Sequence, residues 1–186
     1  MARPDIGQCV SSGFETFKNN ALTYVIAWLV LAVVNGMTFG ILIGPLMVGY
    51  FRMVKIDASG GKSQIGDLFK GFDDLSAGLV AGLISLAAIG IGSVLCILPG
   101  LVAAPLLPIS LFLVSEGEKD GVNAVKRAWH AMSTHVVEAV VYMLILSLIA
   151  FVGILLCCVG IFVTVPIGVI GQYWLAKQLT SDGTIQ

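Results

Sequence analysis

The chain has 186 residues, of which 58% are hydrophobic and 11% are charged, and its formal net charge is -1. A soluble domain carries about 25% charged residues, so this composition excludes an ordinary soluble domain. Basic and acidic residues are interspersed along the chain, which argues against nucleic acid as a partner and against strong attraction to anionic lipid.

The charged side chains all lie outside three long apolar blocks. These blocks cover 19–51, 75–115 and 139–176, so they are 33, 41 and 38 residues long. A helix needs roughly 20 residues to cross the hydrocarbon core of a bilayer, so each block is too long for one crossing and suits two. Helix-breaking residues cluster near the middle of each block, where a hairpin turn is therefore expected.

Six membrane crossings follow, at about 21–35, 37–53, 75–95, 98–115, 134–156 and 161–179. With this pairing every Lys and Arg lies on one face, and the positive-inside bias places that face and both termini in the cytoplasm. The first hairpin is the weakest fit, because its crossings are only about 16 residues long and the usual range begins at about 17.

A short amphipathic stretch precedes each predicted hairpin. The matching aromatic residues of these stretches are Phe17, Phe72 and Trp129, which are 55 and 57 positions apart. The matching prolines in the second helix of each hairpin are Pro45, Pro105 and Pro166, at separations of 60 and 61. Two markers with nearly the same period predict one integral membrane domain, 1–186, with three pseudo-repeats at about 4–56, 57–116 and 117–180.

The amphipathic stretches carry aromatic side chains that suit the membrane interface, namely Phe14, Phe17, Phe69, Phe72 and Trp129. We hypothesise that these rings lie in the headgroup layer and fix the depth at which the next crossing enters. In the alternative, they pack against the cytoplasmic end of the bundle without touching lipid. The two alternatives have equal weight, because aromatic belts and buried aromatic contacts have the same sequence pattern.

Small residues predict close helix packing. Gly36, Gly40 and Gly44 are spaced by four, as are Gly78 and Gly82, and this spacing forms a face on which backbones approach closely. Two roles of this face are equally compatible with the sequence: packing between helices of one chain, and self-association of two chains. The matching prolines are expected to kink the second helix of each hairpin, which shapes the packing or opens a cavity; packing is the favoured role.

One pair of titratable residues is a candidate polar site. His135 and Glu138 are three positions apart at the entry to the fifth crossing, so they share a helix face and could pair or bind a cation or proton. An interfacial pair reached by water is the favoured alternative, because a functional intramembrane carboxylate usually lies deeper.

Other chemical motifs are weak. Three cysteines fall near the far-side turns: Cys96, Cys157 and Cys158. They could form a disulfide or a soft-metal site, but the favoured interpretation is that they are small apolar residues of the core. The run from Gly60 to Ser63 lacks the earlier glycine of a phosphate-binding loop and is interpreted as a flexible loop, with Ser63 near the N-terminus of the following helix. No catalytic residue, metal site or cofactor is predicted, and the chain is not expected to be an enzyme.

Several runs of structural residues carry a resemblance to a known group of proteins. These runs are Gly44-Pro45-Leu46, Gly49-Tyr50-Phe51, Gly60 to Lys62, Asp67-Leu68-Phe69, Gly71-Phe72, Pro99-Gly100 and Asn123 to Ala128. The chain resembles small bacterial integral membrane proteins of unknown function, and is similar to the membrane domain attached to some glycerophosphodiester phosphodiesterases. The resemblance implies a helical bundle in the bacterial inner membrane; the phosphodiesterase activity does not carry over, because the chain has no room for that enzyme's barrel.

The sequence therefore predicts an all-α, polytopic membrane bundle of six transmembrane helices, arranged as three pseudo-repeats of interfacial helix plus hairpin. The expected function is non-catalytic: organising membrane lipids, or a partner membrane protein, through the cytoplasmic interfacial helices. The alternative is a channel or carrier for a neutral small solute or lipid, with a path between the three repeats. Deep charges that an ion-coupled carrier needs are absent from the blocks.

Overall fold

The protein is all-helical. The structure, a computed structural model, describes residues 6–95, 97–155 and 161–181, and every regular element in these ranges is a helix. The α-helices are α1 (Ile6–Asn19), α2 (Ala21–Met37), α3 (Ile43–Ala58), α4 (Ile65–Phe69), α5 (Leu75–Leu95), α6 (Ile97–Ala103), α7 (Leu106–Ser115), α8 (Gly121–Thr134), α9 (Val136–Leu155) and α10 (Ile161–Ser181). A 3-10 turn, Lys70–Asp74, joins α4 to α5.

Two of the predicted crossings differ from the structure by more than two residues at one end or are divided into two helices. The helix predicted at 37–53 begins only at Ile43, because the chain turns through 38–42, where Phe39 and Gly40 have φ values of 51° and 83°. The helix predicted at 98–115 is divided between α6 and α7, since the α-helix is interrupted at Ala104 and Pro105. The weak fit of the first hairpin thus corresponds to a turn longer than predicted.

One helical stretch among the described residues, Ile65–Val94, is long and apolar enough to cross a membrane. Ser11–Asn19 and Ala21–Met37 are long and apolar enough only when they are taken together as one span, and they meet at a 97° bend. Shorter apolar helices cover Gly100–Ser115 and Val136–Ile145. One or two helices of this kind give limited support for association with a membrane, and they do not set the number of crossings.

The core is built around α3, α7 and α10, each of which contacts the other two. Their facing side chains are apolar and fully buried, for example Leu46, Ile109 and Ile170. Tyr173 of α10 contacts both neighbours through aromatic rings, at 6.0 Å from Phe51 and 5.1 Å from Phe112 between ring centroids. Tilted and edge-on pairs at such distances are favourable, so this aromatic cluster joins the three helices near one end.

The predicted glycine face is correct in part. Gly44 packs so tightly on α5 that an added Cβ would lie 2.0 Å from the carbonyl oxygen of Gly78, and a Cβ on Gly82 would lie 3.1 Å from the Gly44 Cα. Among the described parts of the chain, nothing lies within 4 Å of a Cβ added to Gly36 or Gly40. These two glycines do not join the packing face within this chain, because α2 ends at Met37 and a spacing of four does not continue through a turn.

The three matching prolines occupy three different positions. Pro45 lies in the first turn of α3, where no hydrogen bond from its nitrogen is needed, so it begins a helix and does not kink one. Pro105 precedes α7 at the break after α6. Pro166 lies in the interior of α10, beyond its first turn. The predicted kink is therefore wrong for Pro45, whereas at Pro105 the α-helix is interrupted within the predicted crossing.

The short segments before α2, α5 and α9 each pack on a long helix that comes from elsewhere in the chain. Helix α1 lies against α10, where Gly13 approaches Gly171; α4 and the 3-10 turn lie against α3; and α8 lies against α5 and α7. A Cβ on Gly121, at the start of α8, would lie 2.5 Å from the carbonyl oxygen of Ala77. The N-terminal helix thus closes the bundle by packing on the last helix.

Two buried hydrogen bonds tie outer helices to the core. The Tyr142 hydroxyl of α9 donates to the Gly171 carbonyl of α10 at 2.9 Å. The hydroxyls of Ser85 in α5 and Ser110 in α7 lie 3.1 Å apart. These contacts satisfy polar groups that apolar surroundings would otherwise leave without a partner.

Candidate functional site

The five aromatic residues predicted for the interface divide into two groups. Phe14, Phe69 and Trp129 are about half exposed, at 49%, 48% and 53%. Phe17 is buried at 6%, and Phe72 is partly buried against the core, where it stacks on Phe69 at 6.3 Å. Phe17 and Phe72 therefore pack in the bundle, and Phe14, Phe69 and Trp129 are the rings available to a surrounding medium.

Charged groups lie beside the Phe14 ring and in the segment that carries Phe69. The Lys18 ammonium lies 5.6 Å from the centroid of the Phe14 ring. Lys70 pairs with Asp67 at 2.6 Å, and this hydrogen bond, followed by that from the Gln64 N–H, lowers the pKa of the Asp67 carboxyl. Rings beside charges are typical of a membrane interface, where one side of a helix is apolar and the other is wet.

Arg52 binds the 3-10 turn to α3. Its guanidinium donates to the Lys70 carbonyl and to the Asp74 carboxylate, and lies 3.9 Å from the more exposed Asp73. The sequence marks Arg52 only as a cation near the bilayer, and the structure gives it a fixed position. A planar guanidinium suits this role because it donates in several directions at once.

A cavity of about 270 Å³ lies between the ends of α3, α7 and α10. The cavity is lined by Lys55, Ala58, Ser59, Phe112, Glu116, Tyr173 and Lys177. Phe112 and Tyr173 belong to the aromatic cluster of the core, so they form an apolar floor below the three charged groups. We call this place the rim cavity.

The charges of the rim cavity are held in defined positions. The Lys55 ammonium pairs with the Glu116 carboxylate at 2.8 Å. The Lys177 ammonium lies 4.8 Å from the centroid of the Trp174 ring, and no carboxylate among the described residues lies within 4.0 Å of it. A cation over an indole face is a favourable contact that leaves the donors of the ammonium free to bind other groups.

A second polar cluster joins three parts of the chain below the surface. Asn20, between α1 and α2, donates to the Ser63 carbonyl at 3.0 Å and to the Ser63 hydroxyl at 3.2 Å. Asp57, near the end of α3, accepts from the Ser63 N–H at 2.6 Å and from its hydroxyl at 3.0 Å. Asn20 and Ser63 are 9% and 2% exposed, so this network is largely closed to water.

The Ser63 contacts correct the prediction of a flexible loop at Gly60 to Ser63. Ser63 is buried and anchored from both sides, although Gly60, Gly61 and Lys62 are exposed. The sequence could not show this, because the partners Asn20 and Asp57 are 43 and 6 positions away in the chain. The loop serves as a clamp between the start of α2 and the end of α3.

The predicted polar pair at the entry to α9 lies where expected along the chain. His135 joins α8 to α9 and is 9% exposed, and its Nε2 has no hydrogen-bond partner among the residues that the structure describes. Glu138 lies in the first turn of α9 and makes no salt bridge with His135. Binding of a cation or proton at this pair stays a prediction.

The remaining predictions concern metals and thiols. Among the residues that the structure describes, no group of three His, Cys, Asp or Glu side chains is placed to hold a metal ion. Cys96, Cys157 and Cys158 lie outside the described residues, so their pairing stays a prediction.

Sequence reasoning missed the rim cavity, although a signal for it exists. Phe51, Phe112 and Tyr173 are separated by exact steps of 61 positions, and so are Lys55, Glu116 and Lys177. The three aromatic residues of the cluster are therefore related to one another by the same step as the three charged residues of the cavity. An aligned comparison at this period would have pointed to both sets.

The chain matches no model of a known protein family, and searches of curated proteins and of solved structures find no match for it.

Proposed function

We propose that the protein is a six-crossing bundle of the bacterial inner membrane, with both termini and all charged segments in the cytoplasm. The apolar side chains exposed on α2, α5 and α9 support this proposal; they include Leu22, Met37, Ile91, Val94, Val137 and Leu148. Such extensive apolar surface is unfavourable in water, and a lipid environment removes the penalty. The resemblance to small bacterial membrane proteins agrees with this setting.

The proposal includes a single domain of three pseudo-repeats. Each would comprise an interfacial segment, an outer helix and an inner helix: α1 to α3, α4 to α7, and α8 to α10. The mutual contacts of α3, α7 and α10 support this arrangement, as do the steps of 61 positions between Phe51, Phe112 and Tyr173. The packing of α1 on α10 supports it further, because α4 packs on α3, the inner helix before it, in the corresponding way.

The function that we propose is non-catalytic: the cytoplasmic segments organise surrounding lipid or a partner membrane protein. The observation that carries this proposal is the half exposure of Phe14, Phe69 and Trp129, one ring from each segment, together with the Lys18 ammonium over the Phe14 ring. Amphipathic helices with exposed rings and neighbouring cations bind at the level of the lipid headgroups.

Tryptophan fluorescence tests this proposal directly. The chain has three tryptophans, Trp28, Trp129 and Trp174. In a W28F/W174F protein, reconstituted with lipids brominated high on the acyl chain, we expect strong quenching of Trp129, because its ring lies in the interface. The matched control is the W28F/W129F protein, in which Trp174 packs on Tyr173 at 5.8 Å and is expected to be quenched less. Equal, weak quenching of both would refute anchoring by α8.

A channel or carrier for a neutral solute is the second candidate, and the repeated architecture favours it. The packed aromatic cluster between α3, α7 and α10 counts against an open path along their axis. We therefore expect proteoliposomes with the protein to show no more flux of ions, glycerol or sugars than protein-free vesicles. Saturable uptake of any of these solutes would favour the carrier.

A further inference from the structure

We infer that the rim cavity binds a phosphodiester anion. Its lining contains two ammonium groups, those of Lys55 and Lys177, and one carboxylate, that of Glu116. The Glu116 carboxylate already pairs with Lys55, so the unbalanced positive charge is at Lys177. A singly charged phosphodiester matches this excess of one charge, and its oxygens accept the hydrogen bonds that an ammonium donates.

The size and shape of the cavity fit a headgroup-sized ligand. Its volume of about 270 Å³ lies just below the roughly 300 Å³ at which pockets for drug-sized molecules begin. The floor of Phe112 and Tyr173 offers apolar surface for the carbon atoms of a glycerol or similar ester. The charged rim and the apolar floor together suit a small ester of phosphate.

A competing explanation is that the lysines only neutralise the negative ends of helices. The ends of α3 and α7 beside the cavity are already capped, however. At the end of α3, the Ser59, Gly60 and Gly61 N–H groups donate to carbonyls of the last turn, and at α7 the Glu116, Gly117 and Glu118 N–H groups do the same. Capped carbonyls have their hydrogen-bond partners, so the excess positive charge is available to a ligand.

The ligand has two sources with the same chemistry, a lipid headgroup and a water-soluble diester. The net charge of -1 on the whole chain provides no long-range attraction to an anionic surface, so binding depends on the local geometry of the cavity. Binding of a lipid headgroup rests on the proposed membrane function, whereas binding of a water-soluble diester does not. Failure of the proposed membrane function is therefore distinguishable from failure of the cavity to bind a phosphodiester.

Calorimetric titration of the full chain in neutral detergent tests the inference. The probes are dihexanoyl phosphatidylglycerol, its water-soluble headgroup glycerophosphoglycerol, and zwitterionic dihexanoyl phosphatidylcholine as the charge control. We expect the phosphatidylglycerol to bind more tightly than the phosphatidylcholine. Binding of glycerophosphoglycerol with equal affinity would identify a soluble ligand, whereas binding of the lipid alone would identify a headgroup site.

Two substitutions with opposite expected effects separate ligand binding from a structural role. Lys177→Gln should weaken phosphatidylglycerol binding by about tenfold or more, because a charge-assisted hydrogen bond is lost. Glu116→Gln should strengthen it severalfold, because the competing carboxylate on Lys55 is removed. Lys62→Gln, at an exposed position, is the matched control and should change nothing. Absence of binding in the millimolar range, or equal affinity of all three variants, would overturn the inference.

Discussion

Gly49→Ala is expected to lower the free energy of unfolding by at least about 3 kcal/mol, the upper end of the usual cost of overpacking. An added Cβ would lie 1.7 Å from the Leu68 carbonyl oxygen and 2.6 Å from its carbonyl carbon. Both are backbone atoms of α4, so no side-chain rotation relieves the clash, and α4 must move away from α3. The measurement is reversible unfolding of the purified protein in mixed micelles.

The matched control for this substitution is Gly66→Ala in α4, the helix on which Gly49 of α3 packs. Nothing lies within 4 Å of a Cβ at this position, so we expect little change or a gain of about 0.5–1 kcal/mol from the better helix propensity of alanine. If Gly49→Ala and Gly66→Ala unfold at the same denaturant concentration, the close packing of α3 on α4 is wrong.

Asp57→Ala is expected to cost about 3 kcal/mol, because it removes an acceptor from a largely buried network. Three donors lose their carboxylate partner: the N–H and hydroxyl of Ser63 and the amide of Asn20. Each buried donor left without a partner costs about 1–3 kcal/mol, and the Ser63 N–H, at 2.6 Å from the carboxylate, has no alternative acceptor in the network. Thermal unfolding in detergent measures the loss.

Asp73→Ala provides the comparison for Asp57→Ala. The Asp73 side chain is 74% exposed, and its carboxylate comes no closer than 3.9 Å to the Arg52 guanidinium, which also binds Asp74. An exposed pair of this kind contributes well under about 1 kcal/mol, so the substitution should leave the unfolding temperature nearly unchanged. If Asp57→Ala lowers the unfolding temperature no more than Asp73→Ala does, the Asn20–Asp57–Ser63 network does not clamp the start of α2 to the end of α3.

The helices were largely predictable, because the pattern that determines them is local. Helix α2 begins at Ala21 and α5 covers Leu75–Leu95, as the uncharged blocks predict. The predicted end of α2 is within two residues of the observed one, but α3 begins at Ile43 and not at the predicted residue 37. A turn that places Gly40 at positive φ depends on where two helices must separate, and the spacing of glycines alone suggested one continuous face.

The candidate sites were less predictable, because their residues meet only in three dimensions. Asn20, Asp57 and Ser63 belong to three segments, and nothing in the local sequence marks them as partners. Phe17 and Trp129 occupy matching places in the sequence pattern, yet one is buried and the other is half exposed. Burial of an aromatic ring depends on what the rest of the chain places over it, which periodicity does not encode.

The most direct test of the six-crossing account is site-specific thiol labelling in intact cells. The four native cysteines, Cys9, Cys96, Cys157 and Cys158, are first replaced, and single cysteines are introduced at Lys62, Lys119 and Phe39. Phe39 lies in the exposed turn between α2 and α3, opposite to the charged segments in the proposed topology. We expect a membrane-impermeant reagent added outside to label K62C and K119C only after the inner membrane is opened, and F39C before. Labelling of K62C and K119C from opposite sides of the membrane would contradict the account.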